Sequence, residues 1–126
     1  MTTFKPKVLL VDDEREAREA LAHSLRAKGY EVLEEERGAG VVARAKAQWP
    51  ALIILDVVLP DLPGTKVFEQ LRDDPVTKAI PVLLLTAKPD IVEGLPTLSG
   101  KSDRYVEKPG RIEDILRTVH EMLTGR

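Results

Sequence analysis

The chain contains no cysteine, so it has neither a disulfide framework nor a thiolate zinc site. It also lacks an excess of charge of either sign: 19 basic side chains face 21 acidic ones, for a net charge of −2. That balance leaves no electrostatic footprint for nucleic acid or an anionic membrane, and direct nucleic-acid binding is not expected. No apolar run approaches the roughly 20 residues needed to span a bilayer. Met1–Lys7 carries no apolar signal core, so a cytoplasmic location without a membrane partner is the expectation. Internal repeats, low-complexity tracts and linkers are missing too. What remains is 126 residues, 43% hydrophobic and 32% charged. This is the composition of one well-solvated domain over residues 1–126, large enough to bury a core without staples.

Three apolar runs, Val8–Val11, Leu52–Leu55 and Val82–Leu85, have the length of strands and no polar alternation. Each therefore reads as buried on both faces. Tyr30–Leu33 and Arg104–Glu107 are weaker strand candidates. Between them lie helical spacings: Ala17, Leu21, Ser24, Leu25 and Lys28 before a stop at Gly29; Val41, Val42 and Ala45 before Pro50; Val67, Phe68 and Leu71; and Ile112, Ile115, Leu116, Val119 and Leu123. Strands alternating with helices predict an α/β fold with a parallel sheet covered on both sides. One helix is poorly written. The segment "DIVEGLPTLSGKS", Asp90 to Ser102, carries Gly94, Pro96 and Gly100, and proline costs a helix interior about 3 kcal/mol and glycine about 1. A short, kinked or absent fourth helix is expected there.

The strand ends carry the chemistry. "VLLVDDE" at 8–14 runs four aliphatic side chains into three carboxylates, and the run at 52–55 ends in Asp56. Open parallel sheets bind ligands at the carboxyl ends of their strands, where the strand order reverses. In the order 2-1-3-4-5 the first and third strands are neighbours, so Asp12, Asp13 and Asp56 converge. Three converging carboxylates repel one another unless a cation lies between them. Oxygen-only ligation by few protein groups suits Mg²⁺ better than zinc. For any single acid the plainer alternative is a helix N-cap, which Asp13 or Glu14 could supply. The fourth strand ends in Thr86 and the fifth runs into Lys108, whose ammonium faces the carboxylates across room for an anion.

The segments "VDDE" at 11–14, "LDVVLPDLPG" at 55–64, "LLTA" at 84–87 and "YVEKP" at 105–109 together resemble the receiver domain of bacterial response regulators. The resemblance spans essentially the whole chain. It implies a single doubly wound, flavodoxin-like sheet of five parallel strands in the order 2-1-3-4-5. It further implies that Asp56 is the phosphoacceptor, taking its phosphoryl group from a histidine kinase or phosphotransfer protein. Asp12 and Asp13 would position Mg²⁺ with Asp56, Asp13 directly and Asp12 partly through water, and the Val58 carbonyl would be a further ligand. Thr86 would bind a phosphoryl oxygen and Lys108 would pair with the phosphoryl group. Pro109 would follow a cis peptide, and Tyr105 would be the aromatic switch that responds to Thr86. Such a domain is a phosphoacceptor rather than an enzyme, although it assists its own phosphorylation and dephosphorylation.

The sequence departs from the usual receiver at Gly110, where many carry Phe, and in the poor fourth helix. A chain ending at Arg126 is expected to be either a single-domain regulator acting on a protein target or a receiver separated from its output domain. It would be a monomer or a weak, phosphorylation-dependent dimer. Two other readings compete. One is a receiver-like adaptor that works without phosphorylation. The other is a Mg²⁺-dependent phosphohydrolase with an aspartyl nucleophile, which would usually carry a second acid where Val58 stands.

Overall fold

Five short strands lie side by side, all parallel, in the order β2-β1-β3-β4-β5. The computed structural model describes residues 5–89, 103–108 and 110–125. In chain order the elements are β1 (Lys7–Val11), α1 (Arg15–Ala27), β2 (Glu31–Glu35), α2 (Val41–Gln48), β3 (Leu52–Asp56), α3 (Gly64–Asp73), β4 (Val82–Thr86), β5 (Arg104–Glu107) and α4 (Ile112–Thr124), with a 3-10 turn at Gly38–Gly40. The poor helix expected over 90–102 and the cis peptide expected before Pro109 both lie outside the described residues.

The unalternating runs are the central strands. Every residue of β3 and β4 is buried, as are Val8–Val11 of β1, because helices cover both faces. Leu9, Val11, Ile53, Leu55 and Leu84 point to one side, against Val41 and Ala45 of α2 and Val67, Phe68 and Leu71 of α3. Val8, Leu10, Leu52, Ile54, Leu83 and Leu85 point to the other, against Leu21, Ala22 and Leu25 of α1 and Ile115 and Val119 of α4. At about 1.5–3 kcal/mol for each large apolar side chain buried, these two half-cores supply most of the drive to fold.

β2 is displaced from its expected Tyr30–Leu33 to Glu31–Glu35. The reason is its pairing: Lys7 lies opposite Glu31 and Val11 opposite Glu35, so the strand runs as far as its neighbour does. As an edge strand it tolerates glutamates, which find arginines. Glu34 meets Arg18 and Arg26, and Glu35 meets Arg44.

A buried ion pair fixes the opposite side of the sheet. Asp103, just before β5, is 7% exposed. It accepts Arg72 Nε at 3.1 Å, a second Arg72 nitrogen, and the Val82 N–H at 2.9 Å. Arg72 also donates to the Ile80 carbonyl at 2.9 Å and lies over the Phe68 ring, 5.0 Å from its centroid. One aspartate thus ties α3 to the starts of β4 and β5.

Candidate functional site at the carboxyl edge of the sheet

β1 and β3 are adjacent, and their carboxyl ends deliver three acids to one point. Oxygens of Asp12, Asp13 and Asp56 all lie within 4.8 Å of one another. Asp12 and Asp56 are 3% and 5% exposed, whereas Asp13 is at the surface. Both buried carboxylates are held by main chain two residues on: Asp12 Oδ1 accepts the Glu14 N–H at 2.9 Å, and Asp56 Oδ1 accepts the Val58 N–H at 3.0 Å. Each strand therefore turns away from the sheet through a tight loop that aims its own acid. The capping alternative fails for Glu14, which occupies the N-cap position of α1 without a side-chain bond to it.

Gly64, the first residue of α3, explains how closely that helix approaches. Its N–H donates to the Val57 carbonyl at 2.7 Å. A Cβ at this position would fall on the Asp56 carbonyl and lie 2.6 Å from Val57 Cα. Only glycine lets α3 close over the backbone that carries Asp56. Asp61 fastens the same loop at its far end, accepting the Gly38 and Ala39 N–H groups, each at 2.9 Å. These two bonds hold its carboxyl below the ordinary 3.8.

Lys108 completes the site. Its N–H donates to the Thr86 carbonyl at 2.6 Å, and its Nζ lies 2.8 Å from Asp56 Oδ2 and 3.6 Å from Asp12 Oδ2. Burial pulls the ammonium's pKa down, but the hydrogen bond to Asp56 and the charges of Asp56, Asp12 and Glu14 outweigh it, and the net shift is upward from 10.5. Asp12 is shifted upward as well. Burial lifts it above 3.8, the Glu14 N–H and Lys108 oppose the rise, and Asp56 adds to it. Three carboxylates against one ammonium leave a formal excess of two negative charges, which one divalent cation would neutralise. The donors are all hard oxygens, so the site fits Mg²⁺.

Thr86 is buried at the end of β4, one position past Leu85, the partner of Asp56 in the ladder. Its hydroxyl accepts the Lys88 N–H at 2.9 Å. Val58, two residues after Asp56, is 71% exposed. Tyr105 lies opposite Leu84 on β5 and packs, half-buried, against the Phe68 side of the core. At Gly110 a Cβ would stand 2.8 Å from the Glu107 carbonyl, so the residue departing from the usual receiver pattern is one the local chain path requires.

Two residues of this neighbourhood escaped sequence reasoning. Arg18 donates to the Asp12 carbonyl, and Asp61 staples the β3–α3 loop. The available signals were faint: Arg18 stands one helical turn after Glu14, and Asp61 is a lone acid between two prolines in a turn segment.

Comparison with known proteins agrees with this geometry. The response regulator receiver domain model matches residues 8–120, and the chain belongs to that family, a family of phosphoacceptor signalling domains in two-component systems. The probable transcriptional regulatory protein TcrX of Mycobacterium tuberculosis is 36% identical over 116 residues, covering 92% of this chain and 49% of its own. Histidine kinase P4 of Formosa agariphila is 30% identical over 122 residues, 97% of this chain and 9% of its own. The chemotaxis response regulator CheY4 of Vibrio cholerae has a similar structure, with a TM-score of 0.84 and 30% identity over 95% of this chain and 100% of that one. The chain spans about half the length of the curated regulator and a small part of the kinase. No helix among the described residues is long and apolar enough to cross a membrane.

Proposed function

We propose that the whole chain, 1–126, acts as a receiver that accepts a phosphoryl group on Asp56 from a phosphohistidine of a histidine kinase or phosphotransfer protein. The observation that carries this reading is the convergence of three carboxylate groups within 4.8 Å, with Lys108 Nζ 2.8 Å from Asp56. A carboxylate oxygen of Asp56 attacks phosphorus, the phosphorus–nitrogen bond breaks, and its electron pair leaves with the imidazole. Asp12, Asp13, Asp56 and the Val58 carbonyl would hold Mg²⁺. When bound, the metal would neutralise charge on the transferring oxygens.

Lys108 exchanges its pairing with the Asp56 carboxylate for pairing with the new phosphoryl oxygens. Thr86 donates its hydroxyl to one of them, and Tyr105 responds to the movement of Thr86 as the switch at the partner surface. The same site water-hydrolyses its acyl phosphate, with exposed Val58 at the approach. The setting is cytoplasmic, the output is a protein target or an output domain, and the domain is a monomer or a weak dimer formed on phosphorylation.

Intact-mass measurement with phosphoramidate and Mg²⁺ tests the reading. One phosphoryl group, removed by hydroxylamine, is expected on the wild type and none on Asp56→Asn, whose amide is neither charged nor nucleophilic. Undiminished labelling of that variant would place the acceptor elsewhere. An unlabelled wild type would favour the adaptor.

A further inference from the structure

We propose that Arg18 is a positioning residue of the metal site: it pins the Asp12–Asp13 peptide and so aims the Asp13 carboxylate. The inference rests on the Mg²⁺ reading above. Arg18 sits in the first turn of α1, and its side chain is only 12% exposed. One edge of its guanidinium donates through Nη1 to the Asp12 carbonyl at 2.8 Å, and Nε donates to Glu34 Oε1 at 3.0 Å. Glu36 flanks it at 4.0 Å. The arginine thus bridges the end of β2 to the first residue beyond β1.

Asp12 needs such a partner. Its N–H is taken by the Glu35 carbonyl at 3.0 Å, the last bond of the β1–β2 edge, and its side chain by the Glu14 N–H. Its carbonyl lies past the end of the strand ladder, and a buried carbonyl without a donor is costly. The Asp12 carbonyl belongs to the peptide that leads into Asp13, so the bond from Arg18 restrains that plane, while the Glu35 bond holds the plane before it. This matters because Asp13 is exposed and depends on the main chain for its direction. The two bonds leave from different nitrogens of one rigid fork, a geometry a lysine cannot reproduce. Groups that orient metal ligands without touching the metal typically change affinity by about 10–100-fold when removed.

The test uses the metal-stripped 126-residue chain and Mg²⁺ alone. Calorimetric titration should show Arg18→Met binding Mg²⁺ about tenfold more weakly than wild type, near the low end for residues of this kind. Arg18→Lys, which keeps the charge but not the fork, should fall between the two. Glu34→Gln, which keeps the bond to the Asp12 carbonyl, should lose less than Arg18→Met. In phosphoramidate labelling, Arg18→Met should raise the half-saturating Mg²⁺ concentration while leaving the rate at saturating metal within about twofold. A merely structural arginine would lower the melting temperature in EDTA and leave both Mg²⁺ readouts unchanged, which would overturn the proposal. Full rescue by lysine would overturn it too, since charge alone would then suffice. Should Arg18→Met be unfolded, the lysine and Glu34→Gln variants carry the comparison. A wild type that takes up no Mg²⁺ would sink the metal reading itself, before Arg18 is at issue.

Discussion

Removing Asp13 should make the metal-free protein more stable and abolish most of its response to Mg²⁺. Oxygens of the three acids lie within 4.8 Å of one another. At that separation two unit charges repel by about 0.9 kcal/mol in water and about 3.5 kcal/mol at an effective dielectric of roughly 20. Asp13 is exposed, so the lower figure is the better guide, counted against two neighbours and reduced by Lys108. A net gain of about 1–2 kcal/mol for Asp13→Ala in EDTA follows. With an unfolding entropy of about 2.1 cal/mol/K per residue over 126 residues, this raises the melting temperature by about 4–8 °C. Mg²⁺ at ten times its dissociation constant should stabilise the wild type by about 1.4 kcal/mol, and the variant by far less. Scanning calorimetry at low ionic strength, with EDTA and then with Mg²⁺, measures both effects. Salt should shrink the EDTA gain, since exposed charges are screened. A variant less stable than wild type in EDTA would refute the repulsion argument. One that kept the full Mg²⁺ increment would remove Asp13 from the ligand set.

The Arg72–Asp103 pair gives a prediction of the opposite sign. Asp103→Ala strands a buried guanidinium and the Val82 N–H and should cost about 3–5 kcal/mol in urea unfolding. Arg72→Met combined with Asp103→Leu should recover much of that loss, and failure to recover would show that the hydrogen bonds, not the uncompensated charge, dominate. Asp61 supplies a pH dependence. Its folded pKa is depressed by the Gly38 and Ala39 N–H groups, so its stabilisation is present above the unfolded value near 3.8 and is lost as pH falls through the folded one. Denaturation of wild type and Asp61→Ala should therefore differ at neutral pH and converge below pH 4; a constant gap would mean that its carboxylate charge is immaterial.

The central strands, and the edge to which they deliver their acids, were legible in the amino-acid pattern. A run such as Leu52–Leu55, apolar at every position, is stable only when covered on both faces, and a run ending in Asp56 must then carry that acid to the sheet edge. The helices were legible for a similar reason, since the spacing of Leu21 and Leu25 or of Ile115 and Val119 is a local property of the chain. The edge strand was not. The glutamates at 34 and 35 do not read as strand, and β2 takes its bounds from pairing with β1. Lys108 could be placed opposite the acids from its strand end, but packing chose the other partners. Lys108 reaches Asp56 across 52 positions, Asp103 reaches Arg72 across 31 and Asp61 reaches Gly38 across 23. Arg18 meets the Asp12 carbonyl only because α1 folds back over β1, with Glu34 of β2 bracing the guanidinium's other edge. Apolar periodicity is written locally, but a hydrogen-bond partner is chosen by whichever strand end or loop the packed core brings alongside.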